Sequence, residues 1–387
     1  MALGAIGLAL ALTAAAFLAP DRAAAAARTY VPRDEGEIVA RVPVRDPAEI
    51  AERAALAASP ERVEIAVELA RAELARARKL SDPRYLGRAQ ATLARWWAQE
   101  QPPPDVLLLR ATIEQSLHDF RAARIDLDRL LAVRPDDAQA HLTRAVVATV
   151  TADYAAARQS CDAVARLAQP LVALACRAPL DGLHGDDRVY EELAAAVHRR
   201  ADPGLRAWAL TTLAELSVQR GDERAAGEQL QQVLALDPED AYARAALADT
   251  LLEQHDPGAA STLLAGYEAI DNLLVRRAIA EARAHGPDAA SLARQMHARI
   301  AAAAERGDRV HMREEAMFVL AVDSDAPRAL AIAKANWDVQ KELADARLLV
   351  ACAAAAREPD AAAPVVAWAK ANGVVDARLA RALEGLR

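Results

Sequence analysis

Aromatic residues are scarce in this chain of 387 residues. Tryptophan, tyrosine and phenylalanine make up 4% of it, whereas 53% of the residues are apolar and alanine dominates among them. Such a composition suits closely packed helices and argues against a large aromatic ligand pocket. Cysteine is also rare: the three cysteines form no Cys-x-x-Cys pair, which removes the usual basis for redox catalysis.

Signatures of catalysis are absent as well. The sequence has no Gly-x-Ser-x-Gly, no phosphate-binding glycine loop and no dinucleotide fingerprint. The paired acids Asp136-Asp137 and Asp186-Asp187 lie at predicted turns, where helix capping explains them. The eight histidines lack the spacing of a metal site, which favours surface and turn positions, with a weak metal contact between repeats as the alternative. We therefore predict no enzymatic activity, no cofactor and no small-molecule substrate.

Basic residues are outnumbered by acidic ones, 47 against 55, which gives a net charge of −8. No basic stripe is present, so binding to nucleic acid has no electrostatic basis. The acidity by itself is typical of an ordinary solvated surface.

The N-terminus has the features of an export signal. An uncharged apolar run over residues 2–18 is followed by the small residues Ala25 and Ala27, which suit a signal-peptidase site before Arg28. We predict a signal peptide over 1–27, a periplasmic or secreted protein, and no membrane contact beyond this leader. Because no Lys or Arg precedes the run, two alternatives remain: an uncleaved anchor in the inner membrane, and a cytoplasmic protein with an alanine-rich leader.

A unit of two helices recurs every 34 residues. Asp119-Phe120 with Ala123 returns as Asp153-Tyr154 with Ala157. In the clearest unit, residues 207–240, Gly221 occupies the turn between the helices and Pro238 ends the second helix. A fixed period of this length is typical of a solenoid of helix pairs, and solenoids usually bind other chains.

Several signature positions match between units. The pair Leu213-Ala214 corresponds to Leu247-Ala248, and Ala226 corresponds to Ala260. With the Gly-Asp turn and the closing proline, this pattern resembles the tetratricopeptide repeat family, most specifically over about 105–266. The resemblance implies an all-α fold, a right-handed superhelical solenoid of antiparallel helix pairs, in which the first helix of each pair lines a concave groove.

The predicted organisation follows from these patterns. It comprises a signal peptide (1–27), an extended linker (28–58), an atypical helix pair (59–104), the regular array (105–270), and degenerate helix pairs with a capping helix (271–387). For the stretch after the signal peptide, a linker is favoured over a docking peptide for a partner, because a charged, proline-bearing sequence cannot bury a core.

The resemblance also indicates which side chains face the groove. The predicted protein-binding residues are Leu108, Thr112, Gln115, Leu142, Val146, Trp208, Thr211, Glu215, Tyr242 and Asp249. Family members that clamp a chaperone's terminal carboxylate place Lys, Asn and Arg at such positions. This chain is predicted to lack them there, so the groove is expected to be a mixed apolar and mildly acidic channel. Trp208 and Tyr242 lie one repeat apart, so together they are candidates for a hot spot that binds a partner peptide. The alternative is that Trp208 only packs between two repeats.

The cysteines leave one question open. Cys161 and Cys176 are predicted on helices of adjacent units, where an oxidising compartment allows a bridge, but two small buried residues suit the same positions. Cys352 is predicted to lie in the core.

These observations favour an exported scaffold that binds a protein or peptide partner through its concave groove. The alternatives are a non-catalytic accessory subunit of an envelope enzyme or transport system, and a structural spacer.

Overall fold

The structure is a computed structural model, which describes residues 47–199, 201–307 and 310–386. The chain divides into two units, Met1–Ile50 and Ala51–Arg387, and the description below concerns the second. The predicted signal peptide and the linker as far as residue 46 lie outside the described residues.

The described part of the chain consists of helices joined by short turns and contains no strand. The α-helices are α1 Pro47–Ala58, α2 Val63–Leu80, α3 Arg84–Thr92, α4 Ala94–Trp97, α5 Pro104–Ser116, α6 Phe120–Val133, α7 Ala138–Val150, α8 Tyr154–Leu167, α9 Pro170–Gly182, α10 Asp187–Ala196, α11 Pro203–Arg220, α12 Glu223–Leu236, α13 Ala241–Glu253, α14 Pro257–Leu264, α15 Asp271–Ala284, α16 Ala289–Glu305, α17 Met312–Phe318, α18 Ala326–Val339, α19 Leu343–Ala356, α20 Ala363–Ala371 and α21 Ala377–Glu384. A π-helical turn, Val319–Asp323, extends α17, and a 3-10 turn, Pro359–Ala362, precedes α20.

The turn inside each regular unit has the same two-residue design. The first residue adopts the left-handed conformation, and the aspartate after it accepts a hydrogen bond from the backbone N–H three residues on, capping the second helix. The left-handed residues are His118, Ala152, Gly221 and His255, with φ of 62°, 61°, 79° and 60°. Their capping partners are Asp119, Asp153, Asp222 and Asp256. This design confirms the predicted turn positions of His118 and His255.

Helix pairs stack in sequence order, as predicted. Within the array α5 packs on α6, α7 on α8, α11 on α12 and α13 on α14, and each second helix also contacts the first helix of the next unit. Small residues allow these close approaches: Ala123, Ala157, Ala226 and Ala260 all have no exposed surface. The structure is an all-α solenoid, and its helix pairs continue beyond residue 270 to a last helix, α21.

Residues 47–58 differ from the prediction, because they form α1 and not an extended linker. Pro47 occupies the first helical position, where its missing N–H costs nothing. The alanines and glutamates that follow are good helix formers and outweigh the proline-bearing lead-in as a local signal.

A disulfide joins α8 to α9. Cys161 is bonded to Cys176, and their Cα atoms are 5.6 Å apart. Cys161 is 2% exposed and packs among alanines and Leu180. The structure therefore favours the bridge over the two independent buried residues that the sequence also allowed. Cys352 is fully buried as predicted, and burial raises the pKa of its thiol to about 12.

The C-terminal segment crosses back onto the middle of the array. The backbone N–H of Val375 donates to the carbonyl of Leu183 at 2.9 Å, and Gln219 Nε2 donates to the carbonyls of Val375 (2.6 Å) and Gly182 (2.7 Å). Gly185, with a φ of 72°, permits this crossing, since a Cβ there would lie 2.9 Å from Val375 Cγ1. Helix α21 then packs on both α19 and α11, so the predicted capping helix also closes the array on itself.

Further contacts reinforce this closure. Lys341 N–H donates to the carbonyl of Val150 at 2.8 Å, and Trp368 Nε1 donates to Tyr154 Oη at 3.2 Å. Trp368 in turn meets Trp337 edge to face, with ring centroids 5.2 Å apart. The C-terminal core is thus continuous with the start of α8. Within the described residues, no helix is both long and apolar enough to span a bilayer.

Candidate protein-binding groove

The first helices of successive units line a common concave surface, here called the inner groove. Its walls are formed by α11 and α13 on one side and by α15, α17 and α19 on the other. Two adjoining cavities of ≈ 350 Å³ and ≈ 260 Å³ lie in it, and Tyr242, Asp249, Arg313 and Arg347 line both. The crossing of the C-terminal segment brings these two walls to face each other.

Arginines from the C-terminal helices face the inner groove. Arg313 and Arg347 lie one repeat apart, on α17 and α19, and Arg276 and Arg378 line the same cavity. The prediction of a mildly acidic groove without arginine is therefore wrong for the groove as a whole, although it holds for the first units. It considered only residues 105–266 and left out the opposite wall.

Each of these four arginines is paired with a carboxylate of the chain. Nε and Nη2 of Arg276 donate to the two carboxylate oxygens of Asp249, at 2.9 and 2.8 Å. Arg313 pairs likewise with Asp345 (2.6 and 2.8 Å) and also contacts Glu342, while Arg347 pairs with Asp376 and Arg378 with Glu223. Burial of Arg313 opposes its charge, but Glu342 and Asp345 outweigh it and hold the pKa of its guanidinium well above the ordinary value. These four arginines of the inner groove are thus neutralised by carboxylates of the chain itself.

A separate pocket opens beside the inner groove, between α11 and the start of α13. We call it the aromatic pocket; its volume is ≈ 580 Å³. It is lined by Pro203, Gly204, Ala207, Trp208, Thr211, Thr212, Glu215, Leu236, Asp237, Asp240 and Tyr242. Trp208 is 38% exposed and Tyr242 54% exposed, whereas the other described tryptophan, tyrosine and phenylalanine side chains are buried or half-buried. Four of the predicted binding residues, Trp208, Thr211, Glu215 and Tyr242, therefore lie together here.

Glu215 and Tyr242 are joined across adjacent units, where the aromatic pocket meets the inner groove. Tyr242 Oη donates to Glu215 Oε1 at 2.5 Å. Glu215 is open to the groove but lies deep between its walls, and this burial raises the pKa of its carboxyl. The negative charge of Glu215, together with burial, raises the pKa of Tyr242 well above its usual range. The hydrogen bond thus links α11 to α13 beside the pocket.

The remaining predicted residues are placed differently. Asp249 is held by Arg276, and Thr112 is 7% exposed with its hydroxyl bonded to the carbonyl of Leu108. Val146 is 46% exposed. Leu108, Gln115 and Leu142 are half-buried on α5 and α7. The structure thus groups the residues of α11 and the first turn of α13, and not those of α5 and α7, around one pocket.

Sequence reasoning missed the arginine wall. The signal was present, because Arg313 and Arg347 are spaced by one repeat, 34 residues, as Trp208 and Tyr242 are. It was missed because the groove positions were assigned only over about 105–266, whereas both arginines lie in the C-terminal helix pairs.

The chain aligns with known proteins only at the level of solved structures and at low sequence identity. No family model matches the sequence, and no curated protein matches it. Among solved structures, one of PilF from Pseudomonas aeruginosa aligns with a TM-score of 0.38 at 18% identity, covering 50% of this chain and 90% of that chain. The tetratricopeptide-repeat domain of P58(IPK) aligns with a TM-score of 0.21 at 15% identity, covering 84% of this chain and 94% of that chain. The helix pairs, left-handed turns and capping aspartates of the chain itself are those of a tetratricopeptide-type fold.

Proposed function

We propose that this protein is an exported, non-catalytic scaffold that binds a segment of a partner protein at its concave face. The observation that carries the proposal is the pair Trp208 and Tyr242, exposed side by side at the mouth of one pocket. Aromatic side chains with a polar group supply large contact area at little conformational cost and dominate the energetics of many interfaces. Internal neutralisation of the nearby arginines favours this pocket over the rest of the groove as the contact.

Export is supported by two features. The apolar leader over residues 2–18 has the composition of a signal peptide. The Cys161–Cys176 bridge is typical of proteins that mature in an oxidising compartment, because cytosolic thiols are kept reduced. We therefore place the protein in the periplasm or outside the cell, where the partner is an envelope or secreted protein.

The test is an in-cell crosslinking pull-down of the tagged full-length chain, with mass spectrometry of the captured proteins and of the mature N-terminus. Trp208→Ala with Tyr242→Ala should reduce capture of a specific partner by at least about 30-fold, since hot-spot truncations typically cost 2 kcal/mol or more. The matched control is Val133→Ala, an apolar residue that is 64% exposed and lies outside the pocket.

Two results would contradict the proposal. Equal loss of capture and of thermal stability in the double variant would mean that the two aromatics support the fold and not the interface. An intact N-terminus in the cytoplasmic fraction would contradict export. If an envelope enzyme proves to be the captured partner and depends on this protein for activity, the scaffold acts as an accessory subunit.

A further inference from the structure

The aromatic pocket is unbalanced in charge. Its lining includes three carboxylates, those of Glu215, Asp237 and Asp240, and no lysine, arginine or histidine is among its described lining residues. This differs from the inner groove, where Asp249, Glu342, Asp345 and Asp376 each contact an arginine of the chain. Within the described residues the carboxylates of the pocket thus lack a paired arginine, and Lys79, which pairs with neighbouring Glu239, acts on Asp237 only through its charge at longer range.

The three carboxylates are positioned by uncharged donors, and each keeps acceptor capacity. Asp240 accepts from the backbone N–H of Ala243 at 2.9 Å, which caps α13, and Asp237 accepts from the backbone N–H of Glu239 at 3.0 Å. Glu215 accepts from Tyr242 Oη. Within the described residues none of the three forms an ion pair. A carboxylate oxygen has room for two acceptor contacts, so each group is able to receive a further donor.

The aromatic side chains favour a particular kind of donor. The negative face of an indole or phenol ring attracts a cation, and the attraction is greatest for tryptophan and for arginine. A guanidinium placed over Trp208 would lie beside carboxylates of the same pocket, and its planar fork suits them.

The electrostatic environment of the Glu215 carboxyl also favours a cation in the pocket. Burial raises the pKa of this carboxyl, and Glu342 adds to this, whereas the hydrogen bond from Tyr242 and the charges of Arg313 and Arg347 oppose it. These arginines are engaged by Asp345 and Asp376. A cation entering the pocket would remove the cost of ionising Glu215.

We infer that the aromatic pocket binds a basic side chain, arginine in preference to lysine, presented by the partner segment. This inference rests on the proposed function and names the partner chemistry of the same site. An acidic segment does not suit the pocket, because it would add a fourth negative charge next to three carboxylates.

The experiment uses the full-length chain labelled with 5-fluorotryptophan and observed by fluorine NMR. The Trp208 signal is identified by its loss in Trp208→Phe. N-acetyl-arginine amide is titrated against N-acetyl-citrulline amide, which has nearly the same shape but no charge. The arginine compound should shift the Trp208 signal saturably, at a concentration at least about fivefold lower than the citrulline compound, and should leave the signals of buried Trp337 and Trp368 in place.

Variants test the role of the carboxylates. Glu215→Gln with Asp237→Asn should weaken the arginine response several-fold while keeping the hydrogen bond to Tyr242, because the amide oxygen still accepts. Glu384→Gln, an exposed acid on α21, is the control and should have no effect. Equal responses to the two compounds, no saturable shift, or an unchanged response in the charge variant would overturn the inference.

The two proposals fail in different ways. The double variant Trp208→Ala with Tyr242→Ala could lose partner capture while the wild-type pocket shows no preference for the arginine compound. That result would support the proposed scaffold function and overturn the inference that the pocket binds a basic side chain. A photo-crosslinking residue at Thr211 gives a second readout, because the partner peptide attached there should contain arginine or lysine. An arginine-specific shift without any captured partner would keep the pocket chemistry and contradict the scaffold.

Discussion

Reducing the Cys161–Cys176 bridge should lower the free energy of unfolding of the helices around α8 and α9 by about 3 kcal/mol. The two cysteines are 15 residues apart, and the loop-closure entropy of a ring of this size corresponds to about 3 kcal/mol at 25 °C. Reduction leaves both sulfur atoms in place, so the packing of Cys161 against its neighbours changes little. Most of the loss therefore comes from the greater freedom of the unfolded chain.

Guanidinium chloride unfolding, followed by circular dichroism with and without a phosphine reductant, measures this loss. With a denaturant dependence of about 4 kcal/mol/M, the transition midpoint should fall by roughly 0.75 M. Because repeats unfold with some independence, hydrogen exchange should show the loss of protection in α8 and α9 before it appears in α13.

The control is Cys161→Ala with Cys176→Ala, in which the reductant should have no effect because this bridge is absent. The remaining Cys352 is fully buried and its thiol pKa is raised, so it does not react with other thiols in the folded protein. Superimposable unfolding curves of the wild-type protein with and without reductant would refute the reasoning. They would show that the bridge constrains a loop that is already ordered in the unfolded state, or that the thiols are not joined.

Three further predictions address other contacts. Gly182→Ala should destabilise the protein by about 1–3 kcal/mol in thermal unfolding, because the new Cβ would lie 2.3 Å from Cδ2 of buried Leu216. The control is Gly87→Ala at an exposed position with no atom within 4 Å, which should stabilise α3 by about 0.5–1 kcal/mol. Equal effects of the two substitutions on the unfolding temperature would contradict this prediction. Gln219→Ala should cost about 1–3 kcal/mol and speed the exchange of the Val375 amide, because it leaves the Val375 carbonyl without its donor, while the Gly182 carbonyl keeps only the N–H of Gly185. Unchanged exchange would mean that other contacts hold the crossing. Burial, with a contribution from Asp126, raises the pKa of Glu114 from 4.5 to about 7. Between these two pH values the unfolded chain has lost this proton while the folded chain keeps it, so the free energy of unfolding should fall by about 1–3 kcal/mol as pH rises from 4.5 to 7. Unfolding midpoints measured at pH 5 and pH 8 should show this decline in the wild-type protein and not in Glu114→Gln.

The helix pairs were predictable because their signals are local. The left-handed turn residue, the capping aspartate and the small packing residue all lie within one unit, as in Gly221-Asp222 with Ala226. Helix α1 was missed because prolines and charges upstream suggested an extended chain, while its own alanines decided the outcome.

The site was predictable only in part. Trp208 and Tyr242 are on adjacent units, so periodicity was enough to bring them together. The arginine wall and the Val375–Leu183 contact join residues of distant units, and they depend on the curvature that small rotations per repeat accumulate. Periodicity does not determine that curvature, and the neutralisation of the inner groove could not be inferred without it.

The hydrogen bonds between Val375 and the middle of the array have a mechanical consequence. An open solenoid responds to tension like a spring, since each unit touches only its neighbours and yields in turn. Here the segment after α20 is hydrogen-bonded to Leu183, directly after α9, and to Gln219 of α11. A force applied at the C-terminus is therefore carried by these hydrogen bonds before it extends the units between α11 and α20. We expect single-molecule stretching to begin with one high-force rupture, and the regular small steps of a repeat array to follow only after Val375 is released.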